Sequence, residues 1–428
     1  MAADPTHSEK RQVTDYQVFL PNLRHLRVLV EVARAHGISA AAERVHLSQP
    51  AVTQAISGLE RSFGARLFER RRDGMFPTPE GEMLARRVGR MLAVLGEGAA
   101  RAARLAGRRA ERASPGFEAH LTATQLRALV AIAEAGSFSL AARRLGLSQP
   151  SVHRAGRDLE RLSGLGLFAP ARSGVDLTPA GEALARAARL AMAELRQAED
   201  DLTRLAGHDS TRIAVGSMPL SRTALLPMAI EATLGEAPRA RIRLVDAPYG
   251  ELLRALRDGA LDVLIGALRE PPPAEDIVQE RLFDDGLAIM AGPSHPLAGA
   301  RGLALEDTLA FPWIAPPKDS PTGRYLYRLL DIGARPETPV RVVTSSMVLV
   351  RGLLARGDFL TILSPRQAAT EIERGAMVPL DIALPGSARP IGLTTRAGWE
   401  PTRTQARFLD HLRRAAGALA APPYSNNQ

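Results

Sequence analysis

The stretch Leu47–Glu60, LSQPAVTQAISGLE, occurs again as Leu147–Glu160, LSQPSVHRAGRDLE, 100 residues later and with no gap. Val52 falls on Val152, and Leu59-Glu60-Arg61 on Leu159-Glu160-Arg161. Upstream, Leu26, Leu29, Val30 and Ala33 fall on Leu126, Leu129, Val130 and Ala133, and Ala41-Ala42 on Ala141-Ala142. Downstream, Leu67-Phe68 falls on Leu167-Phe168, and Thr78-Pro79 with Gly81-Glu82 on Thr178-Pro179 with Gly181-Glu182. Roughly a hundred residues are duplicated, a period too long and a copy number too low for a solenoid.

In the first copy Leu26, Leu29, Val30 and Ala33 recur at helical spacing and give one apolar face. A short second helix follows from Ser39, its Ala41-Ala42 pair allowing close packing, and His46-Leu47 turns the chain. Ser48 is an N-cap and Pro50 sits in the first turn, where its missing N–H costs nothing. Val52, Ile56 and Leu59 face inward on the third helix, leaving Gln49, Ala51, Thr53, Gln54 and Ser57 outward. Such a helix can enter a DNA major groove N-terminus first, where Gln reads adenine edges and small residues meet thymine methyls or phosphates. Arg66 and Arg70-Arg71-Arg72 follow, and Asp73-Gly74 is the turn of a hairpin wing whose arginines grip phosphate or the minor groove.

The spaced pattern LRHLRVLVEVARAHGISAAAERVHLSQPAVTQAISGLERSFGARLFER, continued by PTPEGE, closely resembles the winged helix-turn-helix of LysR-type transcriptional regulators. The resemblance implies double-stranded DNA as a partner. Its contacts would be Ser48, Gln49, Pro50, Thr53, Gln54, Ser57, Arg66, Arg70, Arg71 and Arg72 in the first copy, and Ser148, Gln149, His153, Arg154 and Arg157 in the second.

The 428 residues, 45% of them hydrophobic, suffice for two to four domains with proper cores. Residues 1–207 carry 30 Lys+Arg against 22 Asp+Glu, and the remainder 25 against 24, so +8 of the net charge of +9 sits with the repeats, as a polyanionic partner requires. Lysine occurs only at positions 10 and 318, so the cations are arginines suited to bidentate phosphate and guanine contacts. The absence of cysteine excludes disulfides, thiolate metal sites and cysteine nucleophiles. MAADPTHSEKRQ has no apolar signal-peptide core and no apolar run reaches membrane-spanning length, so the reading is a cytoplasmic protein without membrane contact, residues 1–19 forming a disordered extension. No His-x-x-x-His, His-Glu-x-x-His or Walker spacing appears, so neither catalytic residues, nor a metal, nor a cofactor is expected, and the chain reads as a non-enzyme.

Each repeat ends in a long helix. Leu84, Val88, Met91, Leu95, Gly98, Ala102 and Leu105 alternate by four and three, and Leu184, Ala188, Ala191, Leu195, Ala198, Leu202 and Leu205 keep the same register, which makes a coiled-coil seam. In LysR-type regulators the corresponding helix pairs two subunits, which implies a homodimer or tetramer. The second seam is the better candidate, since Gly96 and Gly98 weaken the first. Residues 107–120 between the copies, with Ser114-Pro115-Gly116, read as a linker.

The second copy departs from the first. Gly156 replaces Ile56, removing a core side chain; Ser163 replaces Phe63, and Ala169-Pro170 replaces Glu69-Arg70. His153, Arg154 and Arg157 are nonetheless outward and basic. Two readings stay open, a weaker second DNA reader or a domain kept for assembly, with the first copy as principal reader.

From Thr211 short apolar strands alternate with helices, which argues for a parallel sheet with helices on its faces. Ile213–Gly216, Ile242–Val245 and Leu261–Gly266 read as strands, Leu287–Met290 leads into a crossing segment, and a second alternation runs from Trp313 to Leu384. Pro390–Thr394 reads as the return crossing and Thr402–Ala416 as a final helix. This order resembles the two-lobed, type 2 periplasmic-binding-protein fold of the LysR effector region. TSSMVLVRGLLARGDFLTILS and RPIGLTTRAGW resemble the subgroup typified by the galactose-binding-protein regulator. Open sheets of this kind bind ligands beyond the strand carboxyl ends, using backbone N–H groups at helix N-termini. The effector candidates are therefore Gly216, Ser217 and Met218; Gly266 and Leu268; Ser320, Pro321 and Thr322; and Thr344, Ser345 and Ser346.

The fold expected is multidomain: two all-α-rich winged helix-turn-helix domains with long linker helices, then an α/β two-lobed domain. Its divisions fall at 1–19, 20–82, 83–119, 120–180, 181–207, 208–420 and 421–428, with lobe one at 210–290 and 393–418 and lobe two at 291–392. The function expected is a DNA-binding regulator whose promoter binding is modulated by a small-molecule effector, a sugar or an organic or aromatic acid, with RNA polymerase a further partner the resemblance admits. The alternative is a solute-binding protein whose basic repeats serve assembly.

Overall fold

Side-chain caps start most helices of the N-terminal half. Asn22 Oδ1 accepts from the Arg24 N–H and opens α1 (Leu23–Ala35), and α2 (Ile38–Arg44) follows after Gly37. Ser48 Oγ accepts from the Ala51 N–H to open α3 (Gln49–Phe63), with Pro50 in the first turn. β1 (Phe68–Arg71) and β2 (Gly74–Pro77) form an antiparallel hairpin, and Thr78 caps α4 (Pro79–Leu105). The second copy repeats these steps. Thr122 and Gln125 make a capping box on α5 (Ala123–Ala135), Ser137 caps α6 (Phe138–Leu145) and Ser148 caps α7 (Gln149–Ser163). β3 (Phe168–Ala171) pairs with β4 (Gly174–Leu177), and Thr178 caps α8 (Pro179–Leu205). The brace under each wing is duplicated as well: Glu60 Oε1 accepts from the Leu67 and Phe68 N–H groups, and Glu160 Oε1 from Leu167 and Phe168.

The computed structural model describes residues 20–72, 74–107, 114–172 and 174–420. The extension expected at 1–19, the tail at 421–428, Asp73 of the wing turn and residues 108–113 of the linker lie outside the described residues. Two compact units form, one of residues up to Thr211 together with Asp258–Ala260, the other of Arg212–Arg257 and the chain from Leu261.

In the first unit the two long helices pack on each other. Arg87, near the start of α4, meets Asp201, near the end of α8, while Gly98 lies against Ala187, so the pair is antiparallel. Leu84, Val88, Met91, Leu95 and Ala102 are buried, as are Leu184, Ala188, Ala191, Leu195, Ala198 and Leu202. Each large aliphatic chain buried there stabilises by about 1.5–3 kcal/mol. The two seams are thus buried against each other within one chain, where the expectation had the second facing another subunit. Gly98 does not weaken its helix to no purpose either: a Cβ there would lie 2.1 Å from Ala187 Cβ, so the close approach requires glycine. Leu105 and Leu205 fall outside the seam and are exposed.

The second copy's core is also refilled. A Cβ at Gly156 would meet Phe168 at 3.2 Å and Phe138 at 3.4 Å, because Phe138, which stands where the first copy has Ile38, supplies the missing bulk. Ser163 is buried and donates to the Leu159 carbonyl at 2.8 Å. Phe117, on a 3-10 turn (Phe117–His120) in the expected linker, joins the core that holds Leu159 and Leu165.

The second unit contains two five-stranded sheets. Its elements are β5 (Arg212–Ser217), α9 (Leu225–Glu236), β6 (Arg241–Val245), α10 (Tyr249–Arg257), β7 (Val263–Ala267), β8 (Ile277–Asp285), β9 (Ala288–Ala291), β10 (Trp313–Ala315), α11 (Pro321–Leu329), β11 (Val340–Val343), α12 (Met347–Leu354), β12 (Leu360–Leu363), α13 (Ala369–Glu373), β13 (Val378–Pro379), β14 (Arg389–Arg396) and α14 (Arg403–Ala420). The sheet orders are β6-β5-β7-β14-β8 and β11-β10-β12-β9-β13. β5 runs parallel to β6 and β7, and β10 parallel to β11 and β12. Ile213, Val215, Val263, Ile265 and Leu393 pack with Leu226, Phe408 and Leu412, while Trp313, Leu326, Leu330 and Leu360 centre the other lobe.

The lobe limits differ from those expected. Ile289 pairs with Ile362, so β9 belongs to the second lobe, and the crossing lies between Asp285 and Ala288. β14 pairs from Arg389 onward with β8 and from Ile391 with β7, so the return precedes it rather than occupying Pro390–Thr394. Short apolar strands carry no mark of which sheet receives them.

Candidate DNA interface and effector cleft

Burial of Val52, Ala55, Ile56 and Leu59 turns the opposite face of α3 to solvent, where Gln49, Thr53, Gln54 and Ser57 are all exposed. Ser48 and Pro50 are exposed at its start, and the Thr53 hydroxyl donates to the Gln49 carbonyl at 3.1 Å. Arg66, Arg70, Arg71 and Arg72 are exposed too; Arg71 lies 5.1 Å from the Phe76 ring centroid and 3.6 Å from Glu69.

On α7, Val152, Ala155 and Leu159 take the inner face, leaving Gln149, His153, Arg154 and Arg157 exposed. Ser148 is held by Ser151, the His153 ring lies 5.0 Å from Phe138, and Arg157 pairs with Glu160 at 2.7 Å. The two faces differ in charge. α3 offers neutral amides and hydroxyls beside a wing of three arginines, whereas α7 offers cations beside a wing reading Phe-Ala-Pro-Ala, with the exposed Arg172 following.

In the second unit, the expected effector residues have divided fates. Gly216 and Gly266 are packing positions, since a Cβ would meet Leu261 at 2.8 Å in the first case and Met218 at 2.4 Å in the second. Met218 thus lies over Gly266, Ser217 is buried and passes its carbonyl to Arg222, and the Leu268 N–H is spent on the Pro390 carbonyl at 2.9 Å. Ser320 caps α11 and Ser346 caps α12, Thr344 Oγ1 accepts from the Ser346 N–H, and Ser345 is exposed. The Thr344 N–H donates to the Ala315 carbonyl, so the starts of α11 and α12 share the carboxyl end of one sheet.

Of these candidates, Thr322 is bonded across the cleft. Arg389 Nη1, at the start of β14, donates to Thr322 Oγ1 beside Pro321, and its Nη2 reaches Asp285 at 3.4 Å. Arg389 Nε is buried with no hydrogen-bond partner. Arg269 stacks over Tyr249 at 4.3 Å, its backbone held at both N–H and carbonyl by the Gln279 amide. The Tyr249 hydroxyl is likewise buried and unpartnered. Burial depresses the pKa of the Arg269 guanidinium, with the Tyr249 hydroxyl opposing that shift and Arg324 and Arg389 adding to it; burial depresses Arg389 too, against the pull of Asp285. A groove of about 530 Å³ along α11, lined by Lys318, Tyr327 and Arg328 among others, shares Arg324 with this cluster. Motif and spacing do not single out Arg389, Arg324 or Tyr249; only Arg389 carries a local signal, as a cation at the first residue of the strand that follows the return crossing. Among the described residues no group of three or more His, Cys, Asp or Glu could hold a metal ion, and no helix is long and apolar enough to cross a membrane.

Residues 23–82 and 123–182 each match the family described as bacterial regulatory helix-turn-helix protein, lysR family, and residues 206–417 match the LysR substrate binding domain. The chain is 35% identical to the HTH-type transcriptional regulator GalR of Pseudomonas putida over 383 residues, 89% of this chain and 94% of that protein. It is 29% identical to the HTH-type transcriptional regulator PcaQ of Agrobacterium fabrum, over 69% of this chain and 94% of the relative. Among solved structures, a full-length OxyR variant from Pseudomonas aeruginosa superposes with a TM-score of 0.50 at 24% identity, covering 69% of this chain and 95% of its own, a likeness of fold.

Proposed function

Because the chain belongs to the LysR family, DNA-binding transcriptional regulators with an effector-binding domain, we propose that its effector is a small carboxylate held by Arg269 and Arg389 and that it reads its operator through the outward faces of α3 and α7. Regulators of this family bind DNA and small-molecule effectors and form oligomers.

The observation that carries the effector class is a pair of buried donors without acceptors in a cleft lined by arginines. Arg389 Nε and the Tyr249 hydroxyl are buried donors without acceptors, and Arg269, Arg324 and Arg389 lie close enough to repel. A carboxylate supplies acceptor atoms and negative charge together, and guanidinium binds it bidentately. A neutral sugar supplies only the first. Since Arg269 and Tyr249 belong to one lobe and Thr322 and Arg324 to the other, such a ligand favours the lobe arrangement that brings them together. That differential affinity is all that allosteric control requires.

Titration calorimetry with a panel of small carboxylates and neutral sugars of matched size tests this. Carboxylate binding that Arg389→Met abolishes supports the reading; binding of neutral sugars alone, indifferent to Arg389→Met, rejects it. In the same reading the ligand is released chemically unchanged, the protein works in the cytoplasm, and RNA polymerase is met at the promoter. Nuclease footprinting on the DNA upstream of its own gene tests the reading faces, a protected site that Gln49→Ala weakens being the expected result.

A further inference from the structure

The two copies touch each other reciprocally. Arg27 of α1 donates to the Glu118 carbonyl ahead of α5, and Arg127 of α5, its equivalent, donates at 3.0 Å to the Leu20 carbonyl ahead of α1. Equivalent arginines each bonding a backbone carbonyl just ahead of the other copy's first helix, at acceptors two residues apart in the repeat register, describe an approximately isologous, pseudo-two-fold arrangement.

The seam is not interchangeable, however. Arg87 is 1% exposed and bonds Asp201 at 2.9 and 3.1 Å and Glu194 at 3.4 Å, with Arg90 completing Glu194 at 3.0 Å. The repeat places Val94 and Arg101 at the first-copy equivalents of Glu194 and Asp201, and Ala187 and Leu190 at the second-copy equivalents of Arg87 and Arg90. Pairing α4 with a second α4 would therefore bury Arg87 opposite Val94 and Arg101, and pairing α8 with a second α8 would bury two carboxylates with no cation at those positions. Each like pairing leaves buried charge uncompensated, so the seam selects α4 with α8. The described part of the connection, from Ser114, is packed, Phe117 being buried and the Ser114 N–H bonding the Ser163 carbonyl at 3.0 Å.

We propose that a single chain is a complete reader of two unlike half-sites: α4 and α8 pair within the chain and present α3 to one half and α7 to the other. Operator symmetry mirrors protein symmetry. A pseudo-two-fold head with unlike helices therefore selects a pseudo-palindrome with unlike halves. Gln49 and Gln54 suit adenine in the first half, and Arg154 suits guanine in the second. The inference rests on the DNA-reading faces proposed above.

The test selects duplexes from a random-sequence pool with the full-length protein at fixed salt, then repeats the selection with Gln49→Ala and Arg154→Ala, two surface changes that leave the core alone. The expected motif has two different halves, and each variant loses about tenfold preference in its own half only. A symmetric motif in which Gln49→Ala erases both halves overturns the proposal but keeps α3 as a reader. No enriched motif removes the reading faces themselves, and the proposal with them. Whether the seam lies within one chain is read separately. Arg87→Asp with Asp201→Arg in one chain is expected to restore DNA binding lost by either change, whereas co-expressing the two single variants does not; restoration by co-expression places the seam between chains and overturns the proposal.

Discussion

Alanine at Gly96 and alanine at Gly98 are expected to act in opposite directions, although the residues stand two apart on α4. Both gain about 0.8–1.0 kcal/mol of helix propensity. At Gly96 nothing lies within 4 Å of the added methyl, so the gain is kept. At Gly98 the new Cβ falls 2.1 Å from Ala187 Cβ, with the Ala187 Cα at 3.5 Å and the Ala183 carbonyl at 3.7 Å. Ordinary carbon contact is about 3.5–4.0 Å, so the helices must part by roughly 1.5 Å along a seam that is closed on both sides. Overpacking of this kind costs about 1–3 kcal/mol, which leaves Gly98→Ala between neutral and about 2 kcal/mol destabilised. The two variants should thus differ by about 1–3 kcal/mol. Urea denaturation followed by helical circular dichroism measures it, the gap amounting to about 1 M in midpoint for a slope of about 1–3 kcal/mol/M. Gly98→Ala with Ala187→Gly exchanges the methyl across the seam at no net propensity cost and should return close to the original stability. If Gly98→Ala stabilises as much as Gly96→Ala, α8 does not lie where the structure puts it and the reasoning fails.

Arg87→Met should cost about 3–5 kcal/mol by leaving the buried Asp201 carboxylate without its cation, and adding Asp201→Leu should recover most of it in the same urea assay; a loss below about 1 kcal/mol would show that the pair is not buried. Burial holds the His295 imidazole pKa below its usual value, while its Nδ1 accepts from the Leu297 N–H. A depressed folded-state pKa means that this stability is complete above the unfolded value near 6.5 and is lost as pH falls through that value toward the folded one. The effector unit should accordingly weaken as pH falls below about 6.5, less so in His295→Asn; equal pH profiles would discount the histidine. On DNA, Arg71→Ala should lower affinity about equally for all sequences and reduce the salt slope by about one, in fluorescence anisotropy across a salt series. A sequence-selective loss would instead make Arg71 a base reader.

Much of the outward surface of the candidate DNA-reading helices was legible in the chain because its determinants are local. Ser48 and Ser148 cap, Pro50 and Pro150 start, and Val52 or Val152 sets the inner face, so the outward residues follow from helical period alone. The effector cleft was legible only in outline. Helix starts after strands can be found, but Ser320 and Ser346 are occupied as caps and Gly216 and Gly266 as packing positions, the ordinary uses of those residue types. The residues that give the cleft its charge meet across sequence separations no local window spans: Arg389 reaches Thr322 over 67 residues and Asp285 over 104.

The sequence by itself determined the duplication, the three-helix pattern with its wing, the α/β alternation that follows and the family. Each of these is written in caps, periodicity and spacing along the chain, where neighbours in sequence are neighbours in space. Tertiary structure decided what the long helices pair with. An apolar heptad face carries no address, and either seam could have met its own copy in another chain. Arg87 opposite Asp201 and Glu194, and Gly98 opposite Ala187, become complementary only once the helices run antiparallel, and buried charge then makes every like pairing costly.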